Sequence, residues 1–366
     1  LDLSKLTNEE LIALRREKEI EISKSHNMQM AKKILLNSCY GAMSNPYFLY
    51  YSDVLAESIT LSGQLSIQWV SKYINVYLNK LLGTTDKDFI IANDTDSCYV
   101  NLEAIVMKVM PHETDKFKIV EFIDKLCKTK IADVIAQAYE DLATMMNAFS
   151  QKMRMKRENI ADMAVWTAKK RYIMNVYDSE GVRYKEPKVK VVGIEAVRSS
   201  TPFVVREYIK KALDLIVADD ESKLHDYIKH CRQEFGTLRF EEVGKPSGVK
   251  GTVDYFDKYN LYRKGTPIHV RASLIYNKII QENQLDKKFP VISDGDKIKF
   301  CYMKMPNPLR ENVFAVSTVL PSQLQLEKYI DYDKQFEVVF ISPLKKILDA
   351  IGWTTEKVSS LESFFI

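Results

Sequence analysis

Phe89-Ile90-Ile91-Ala92-Asn93-Asp94-Thr95-Asp96-Ser97-Cys98-Tyr99-Val100 sets two carboxylates between two short apolar runs. Phe89-Ile90-Ile91 reads as a strand and Cys98-Tyr99-Val100 as its return, so the Asp-Thr-Asp segment falls at their connection. Two Asp residues one residue apart at such a connection can project towards one metal pocket, with the apolar strands as a rigid support. Mg2+ takes carboxylate oxygens from a protein and keeps several waters and substrate oxygens. Asp and Ser are also favoured turn formers, so a plain turn is the competing reading of the tetrapeptide taken alone.

Working towards the start of the chain, a helix is expected from Asn8 to Gly41, with Thr7 and Glu10 as its capping box. The polar patch Ser25-His26-Asn27 is expected to loosen it midway, and Asn45-Pro46 to end it. A second helix is expected from Val54 to Leu82, with Leu61, Leu65, Trp69 and Tyr73 four residues apart along one stripe and Gly83 as its cap. Lys33, Asn37 and Tyr40 share one face of the first helix, while Leu35, Leu36 and Cys39 on its other faces are free to pack. A cation, an amide and an aromatic ring in a row suit a nucleoside triphosphate. Lysine neutralises phosphate oxygens as a point charge. Asn37 either positions the triphosphate or supports the helix. Tyr40 can lie against a base or sugar, and Gly41 lets a ligand approach the backbone. An amphipathic helix with a solvated polar side is the alternative.

Towards the other end, a third helix is expected from Lys116 to Phe149. Strands follow over Val165–Val176 and Val182–Val192, with a hairpin turn at Asp178-Ser179-Glu180-Gly181. Within the first of these strands, Trp166-Thr167-Ala168-Lys169-Lys170-Arg171-Tyr172 carries three consecutive cations. Successive strand residues face opposite sides, so both faces would be charged. That suits a strand lying beside a nucleic-acid duplex and contacting phosphates without sequence choice; an edge strand with solubilising lysines is the alternative. Helical patterns run from Phe203 to Phe235, and turn signals follow at Gly244-Lys245-Pro246, Lys264-Gly265 and Asp294-Gly295.

With 366 residues, 46% hydrophobic and 28% charged, the chain has a soluble globular composition long enough for two or three cores. The net charge is only +4, yet basic residues crowd between positions 152 and 190. That stripe is either a face for a polyanion or a solvated charged face. Five scattered cysteines without a Cys-x-x-Cys pair argue for reduced thiols in a cytoplasmic setting and against a zinc site. No apolar run approaches the roughly 20 residues needed to span a bilayer, so no membrane partner is expected. The chain opens at Leu1 directly into a helix start. It is therefore expected to be the trailing part of something longer, or one half of a split protein.

The three motifs, in this order, resemble the family B DNA polymerases, and within them the replicative polymerases of T-even-type bacteriophages. Lys33-x-x-x-Asn37-Ser38-x-Tyr40-Gly41 is similar to the family's fingers-helix motif, Asp94-Thr95-Asp96-Ser97 to its palm metal motif, and Lys169-Lys170-Arg171-Tyr172 to its primer-gripping motif. The likeness continues through Gly193-Ile194-Glu195 and Ser199-Ser200-Thr201-Pro202 to a thumb-like remainder with Pro267-Ile268-His269-Val270-Arg271. The resemblance implies an α+β fold with a partial right-hand architecture: a second fingers helix over 1–45, a palm over 46–195 and a thumb over 196–366. It implies that Asp94 and Asp96 are catalytic carboxylates holding two Mg2+ ions. Lys33, Asn37, Tyr40 and Gly41 would bind the deoxynucleoside triphosphate. Thr95, Lys169, Lys170, Arg171 and Tyr172 would hold the primer–template, and Glu158 would support the metal site. Leu361, Phe364 and Phe365, in the apolar tail over 358–366, resemble the segment by which such enzymes bind a sliding clamp; a terminal helix packed on the thumb is the alternative.

Two departures stand out. Family members usually carry Tyr-Gly before Asp-Thr-Asp, where this chain has Ala92-Asn93; Asn is the best substitute for Gly in a left-handed turn. The family's Asp-x-x-Ser-Leu-Tyr-Pro segment, source of another catalytic Asp, is not found here and is expected upstream, together with the proofreading exonuclease and the first fingers helix. The expected function is thus part of a DNA-directed DNA polymerase that needs an upstream partner, in cis or as a second chain. The competing functions are a catalytically silent DNA-binding or clamp-binding remnant and an Asp-x-Asp sugar transferase, against which the first helix and the Lys-Lys-Arg-Tyr run both speak.

Overall fold

Thr7 starts the first helix as its spacing predicts. Its hydroxyl accepts from the Glu10 N–H at 3.4 Å, and the Glu10 carboxylate accepts from the Thr7 N–H at 2.8 Å. In the computed structural model, which describes residues 6–357, this helix (α1, Asn8–Met43) then runs unbroken. The Ser25-His26-Asn27 patch does not loosen it, because such residues cost a helix interior less than about 0.7 kcal/mol each relative to Ala. No residue of α1 is buried, so Leu35, Leu36 and Cys39 are exposed rather than packed. Its apolar residues are spread around the helix instead of gathered on one stripe.

Helix α2 (Asp53–Leu82) is capped by the Ser52 hydroxyl at one end and by Gly83, at φ 71°, at the other. Its buried stripe is Ile67, Val70, Ser71, Ile74 and Leu78. The expected stripe lies off that face: Leu61 is exposed, and Trp69 and Tyr73 stack at its flank with ring centroids 5.8 Å apart. A strict four-residue spacing drifts around an α-helix, and only alternating steps of three and four hold one side. Strands β1 (Ile90–Asp94) and β2 (Ser97–Val100) form the expected hairpin, followed by a short helix α3 (Glu103–Val109). The expected third helix appears as α4 (Lys116–Leu126), a π-helical turn over Cys127–Ile131, and α5 (Ala132–Met145). α5 packs on α2, where the Tyr73 hydroxyl donates to Asp141 at 2.7 Å.

Downstream, β3 (Asn159–Ala168), β4 (Arg171–Ser179) and β5 (Val182–Val192) form an antiparallel sheet in that order. The single strand expected over Val165–Val176 is instead two strands that turn back at Lys169-Lys170. Val120 of α4 packs with Ile160 and Tyr177 of the sheet, and Arg157 pairs with Asp124 at 2.6 Å and with the buried Asp178. The helical patterns expected over 203–235 appear as α6 (Phe203–Val217) and α7 (Glu221–Phe235), with Asp220 capping α7. After α8 (Phe240–Val243), the Gly244-Lys245-Pro246 signal marks an edge strand, β6 (Lys245–Gly248), rather than a turn. An edge is where a proline fits a sheet. Then come α9 (Thr252–Tyr255), the two-residue pair β7 (Phe256–Asp257) and β8 (Leu261–Tyr262), α10 (Ile268–Glu282), β9 (Lys297–Tyr302), β10 (Val313–Val316), α11 (Tyr332–Phe336) and α12 (Ser342–Ile351). Phe235, Tyr276, Phe314, Phe336 and Phe340 anchor one core among these elements.

The protein is thus mixed helix and sheet, in two compact units. One runs to Pro111 and resumes over Leu126–Lys156; the other comprises His112–Lys125 and the chain from Arg157 onward. Among the described residues no helix is long and apolar enough to cross a membrane. Leu361, Phe364 and Phe365 lie outside the described residues.

Candidate functional site

Asn93 pairs with Cys98, and Asp94 with Ser97, leaving Thr95-Asp96 as a two-residue turn. Thr95, not Asn93, takes the left-handed conformation, at φ 58°. A β-branched residue there is strained by about 1–2 kcal/mol. Two local bonds tighten the turn: the Asp96 N–H donates to the Asp94 carbonyl at 2.7 Å, and the Thr95 hydroxyl donates to the Asp94 carboxylate at 3.1 Å. Asp96 is exposed and Asp94 half-buried.

The hairpin is fastened to α2 by a polar row that the sequence reading missed. Asn79 donates to the Lys87 carbonyl at 2.7 Å and accepts from the Lys87 N–H at 3.0 Å. One turn back, Asn75 donates to the Asp88 carboxylate at 2.8 Å and accepts from the Phe89 N–H at 2.9 Å. A further turn back, the buried Ser71 hydroxyl accepts from Asn93 Nδ2 at 3.1 Å, donates to the Ile67 carbonyl at 2.7 Å and lies 3.8 Å from the Cys98 thiol. Burial pushes the Cys98 thiol up from its ordinary value. Burial first, then Cys98 and Asp96 nearby, raises the Tyr139 hydroxyl. The signal available in the sequence was the spacing Ser71, Asn75, Asn79 on a helix that precedes the strand.

Two carboxylates are hard oxygen donors and suit a divalent cation such as Mg2+, but they fill only a minority of its six positions. Among the described residues no group of three or more His, Cys, Asp or Glu side chains converges as a metal site.

Lys33, Asn37 and Tyr40 are all exposed on α1, and the Lys33 and Asn37 side chains make no hydrogen bond or ion pair among the described residues. The space where Gly41 would carry a Cβ is open. The carboxylate turn and the Lys33 face therefore stand on separate elements of the same unit.

In the other unit, Lys169 and Lys170 are exposed in the β3–β4 turn, with Lys170 at φ 61°. The three cations do not alternate along a strand as expected. Gly193, at φ 65°, lies directly beneath: a Cβ added there would clash with the Lys170 carbonyl oxygen. Arg171 reaches Glu195 at 3.5 Å, and Arg198 reaches the same carboxylate at 3.7 Å. Tyr172 is buried, with its ring 5.8 Å from that of Trp166. Glu158 precedes β3 at the far end of this hairpin, about 30 Å from the lysine turn at ~3.3 Å per residue; its carboxylate lies 4.0 Å from Lys190.

Comparison with known proteins shows the family of the chain. The model of DNA polymerase family B matches residues 10–351. The DNA-directed DNA polymerase of Enterobacteria phage T4 is 33% identical over 380 residues, covering 100% of this chain and 41% of that protein. The chain belongs to DNA polymerase family B. A second phage relative, the DNA-directed DNA polymerase of Escherichia phage RB69, is 32% identical over 92% of this chain and 38% of its own length. DNA polymerase 1 of Sulfurisphaera ohwakuensis is 24% identical over 89% of this chain and 30% of its own length. The chain spans about two-fifths of the length of the two phage relatives. Within this family B chain, the seat that Gly193 provides for Lys170 is a second feature missed in the sequence, because the two residues meet only through the sheet.

Proposed function

We propose that the chain is the C-terminal part of a DNA-directed DNA polymerase that joins a deoxynucleotide to a primer 3′ hydroxyl and releases pyrophosphate. The observation that carries this reading is the Asp94-Thr95-Asp96 hairpin turn, which presents two carboxylates on a rigid support, in a chain of DNA polymerase family B. On this reading residues 1–45 are the second fingers helix, 46–195 the palm and 196–366 the thumb of a right-hand architecture. The tail over 358–366 would dock a sliding clamp.

Asp94 and Asp96 would hold two Mg2+ ions. Ions bound there supply the charge that lowers the pKa of the attacking hydroxyl and steadies the leaving pyrophosphate. Lys33 binds the triphosphate oxygens, Asn37 aligns them, and Tyr40 and Gly41 bound the nascent base pair. Lys169, Lys170, Arg171 and Tyr172 hold the primer strand through its phosphates, with Thr95 beside its end and Glu158 in support. Positioning and charge stabilisation account for the catalysis. A further catalytic Asp and the proofreading exonuclease belong to an upstream polymerase part, working with this chain in the host cytoplasm.

The chain alone is expected to bind primer–template without extending it, and addition of the upstream part, in cis or as a second polypeptide, to restore synthesis. Asp94→Ala or Asp96→Ala should then cut extension by about 10³-fold or more, the scale of several kcal/mol of metal-borne charge stabilisation, and leave duplex binding in a gel-shift assay intact. Full-rate extension by the chain alone would remove the need for an upstream carboxylate. Unchanged rates in the two variants would leave a DNA-binding remnant as the better reading.

A further inference from the structure

The turn that carries Asp94 and Asp96 holds a threonine in a conformation that a β-branched residue resists. Such a residue persists only where its surroundings over-determine it. The bonds within the turn run between Asp94, Thr95 and Asp96 and would move with it. Support from outside comes from the α2 row of Ser71, Asn75 and Asn79, one helical turn apart, each bonded to the hairpin or to the chain that enters it. Asn79 and Asn75 hold the chain where it enters β1, at Lys87, Asp88 and Phe89. Ser71 holds it where β1 ends, at the Asn93–Cys98 pair directly below the turn. Ser71 is buried and its hydroxyl is fully engaged: its proton goes to the Ile67 carbonyl, and its lone pairs face Asn93 Nδ2 and the Cys98 thiol.

The geometry points to Ser71 and Asn93 as a positioning pair that sets the direction of the Asp94 and Asp96 carboxylates towards the metals and the primer end. Asn93 occupies the position before the Asp-Thr-Asp segment and is exposed on its strand, so the bond to Ser71 rather than packing gives it a fixed place. Neither residue touches substrate. Both act through the backbone of the turn, with strand β1 as the rigid link. The role rests on the polymerase reading of the two carboxylates, while the mechanical coupling stands without it.

The test uses Ser71→Ala, Asn93→Ala and the double variant. Amide hydrogen exchange of the 94–98 segment is expected to quicken about tenfold in each single variant and no further in the double one, since two partners in one bond act as a unit. Exchange in the rest of α2 is expected to stay at the wild-type rate. With the full polymerase assembled, the same variants should raise the Mg2+ concentration for half-maximal extension about tenfold and leave KM for primer–template unchanged. Unchanged exchange at 94–98, faster exchange throughout the unit, or additive effects in the double variant would each overturn the positioning role. If the wild-type assembly does not extend primers, the polymerase reading fails, and exchange still decides the Ser71–Asn93 coupling.

Discussion

Lys170 adopts a backbone conformation that lysine rarely takes, and Gly193 is what permits it. Any side chain at 193 would meet the Lys170 carbonyl oxygen, and the positive φ of Gly193 itself disfavours a Cβ. Gly193→Ala is therefore expected to destabilise the protein by about 1–3 kcal/mol, read as a lower denaturant midpoint with an unchanged slope. This residue pair also marks a limit of what the sequence discloses. Lys169-Lys170 contains no Gly, Asn or Asp to announce a turn, and the alternation around it suits one continuous strand. The turn's Lys170 carbonyl is accommodated by a glycine just past the end of β5. Thr95 is similar: the expected left-handed residue was Asn93, which instead lies in β1 and is bonded to the Ser71 hydroxyl of α2, while Thr95 takes the left-handed conformation.

At the scale of elements, features with a local cause were legible and those with a tertiary cause were not. The capping box of α1, the Gly83 end of α2 and the β1–β2 hairpin around Asp94 and Asp96 follow from neighbouring residues, and all appear. The exposure of Leu35 and Leu36 and the buried face of α2 depend on what lies across from them. The attachment of β1 to α2 also carries a pH signature. Donation by Asn75, and then by the Ile90 N–H, holds the Asp88 carboxyl below its ordinary value. A carboxyl depressed in the folded state contributes stability above its unfolded pKa, near 3.9, and that contribution is lost as the pH falls through the folded value. Asp88→Asn should therefore melt below the wild type at neutral pH. The gap should close on acidification below the usual aspartate range, a comparison that thermal scans across pH can make.

Considered whole, the molecule is two compact units threaded by one chain that changes unit three times, after Pro111, Lys125 and Lys156. The His112–Lys125 segment gives the second unit Val120, against Ile160 and Tyr177, and Asp124, against Arg157. A polypeptide of residues 157–357 alone is thus expected to be at least about 2 kcal/mol less stable than its counterpart within the full chain. Supplying residues 112–125 as a peptide should recover part of the loss in a denaturant titration. The same threading bears on heredity. Recombination between related genes cannot trade one unit for another with a single crossover inside this region, because such an event would join a sheet to a foreign helix. Only paired exchanges, moving both segments together, would yield a chimaera with its ion pair and its apolar contacts intact.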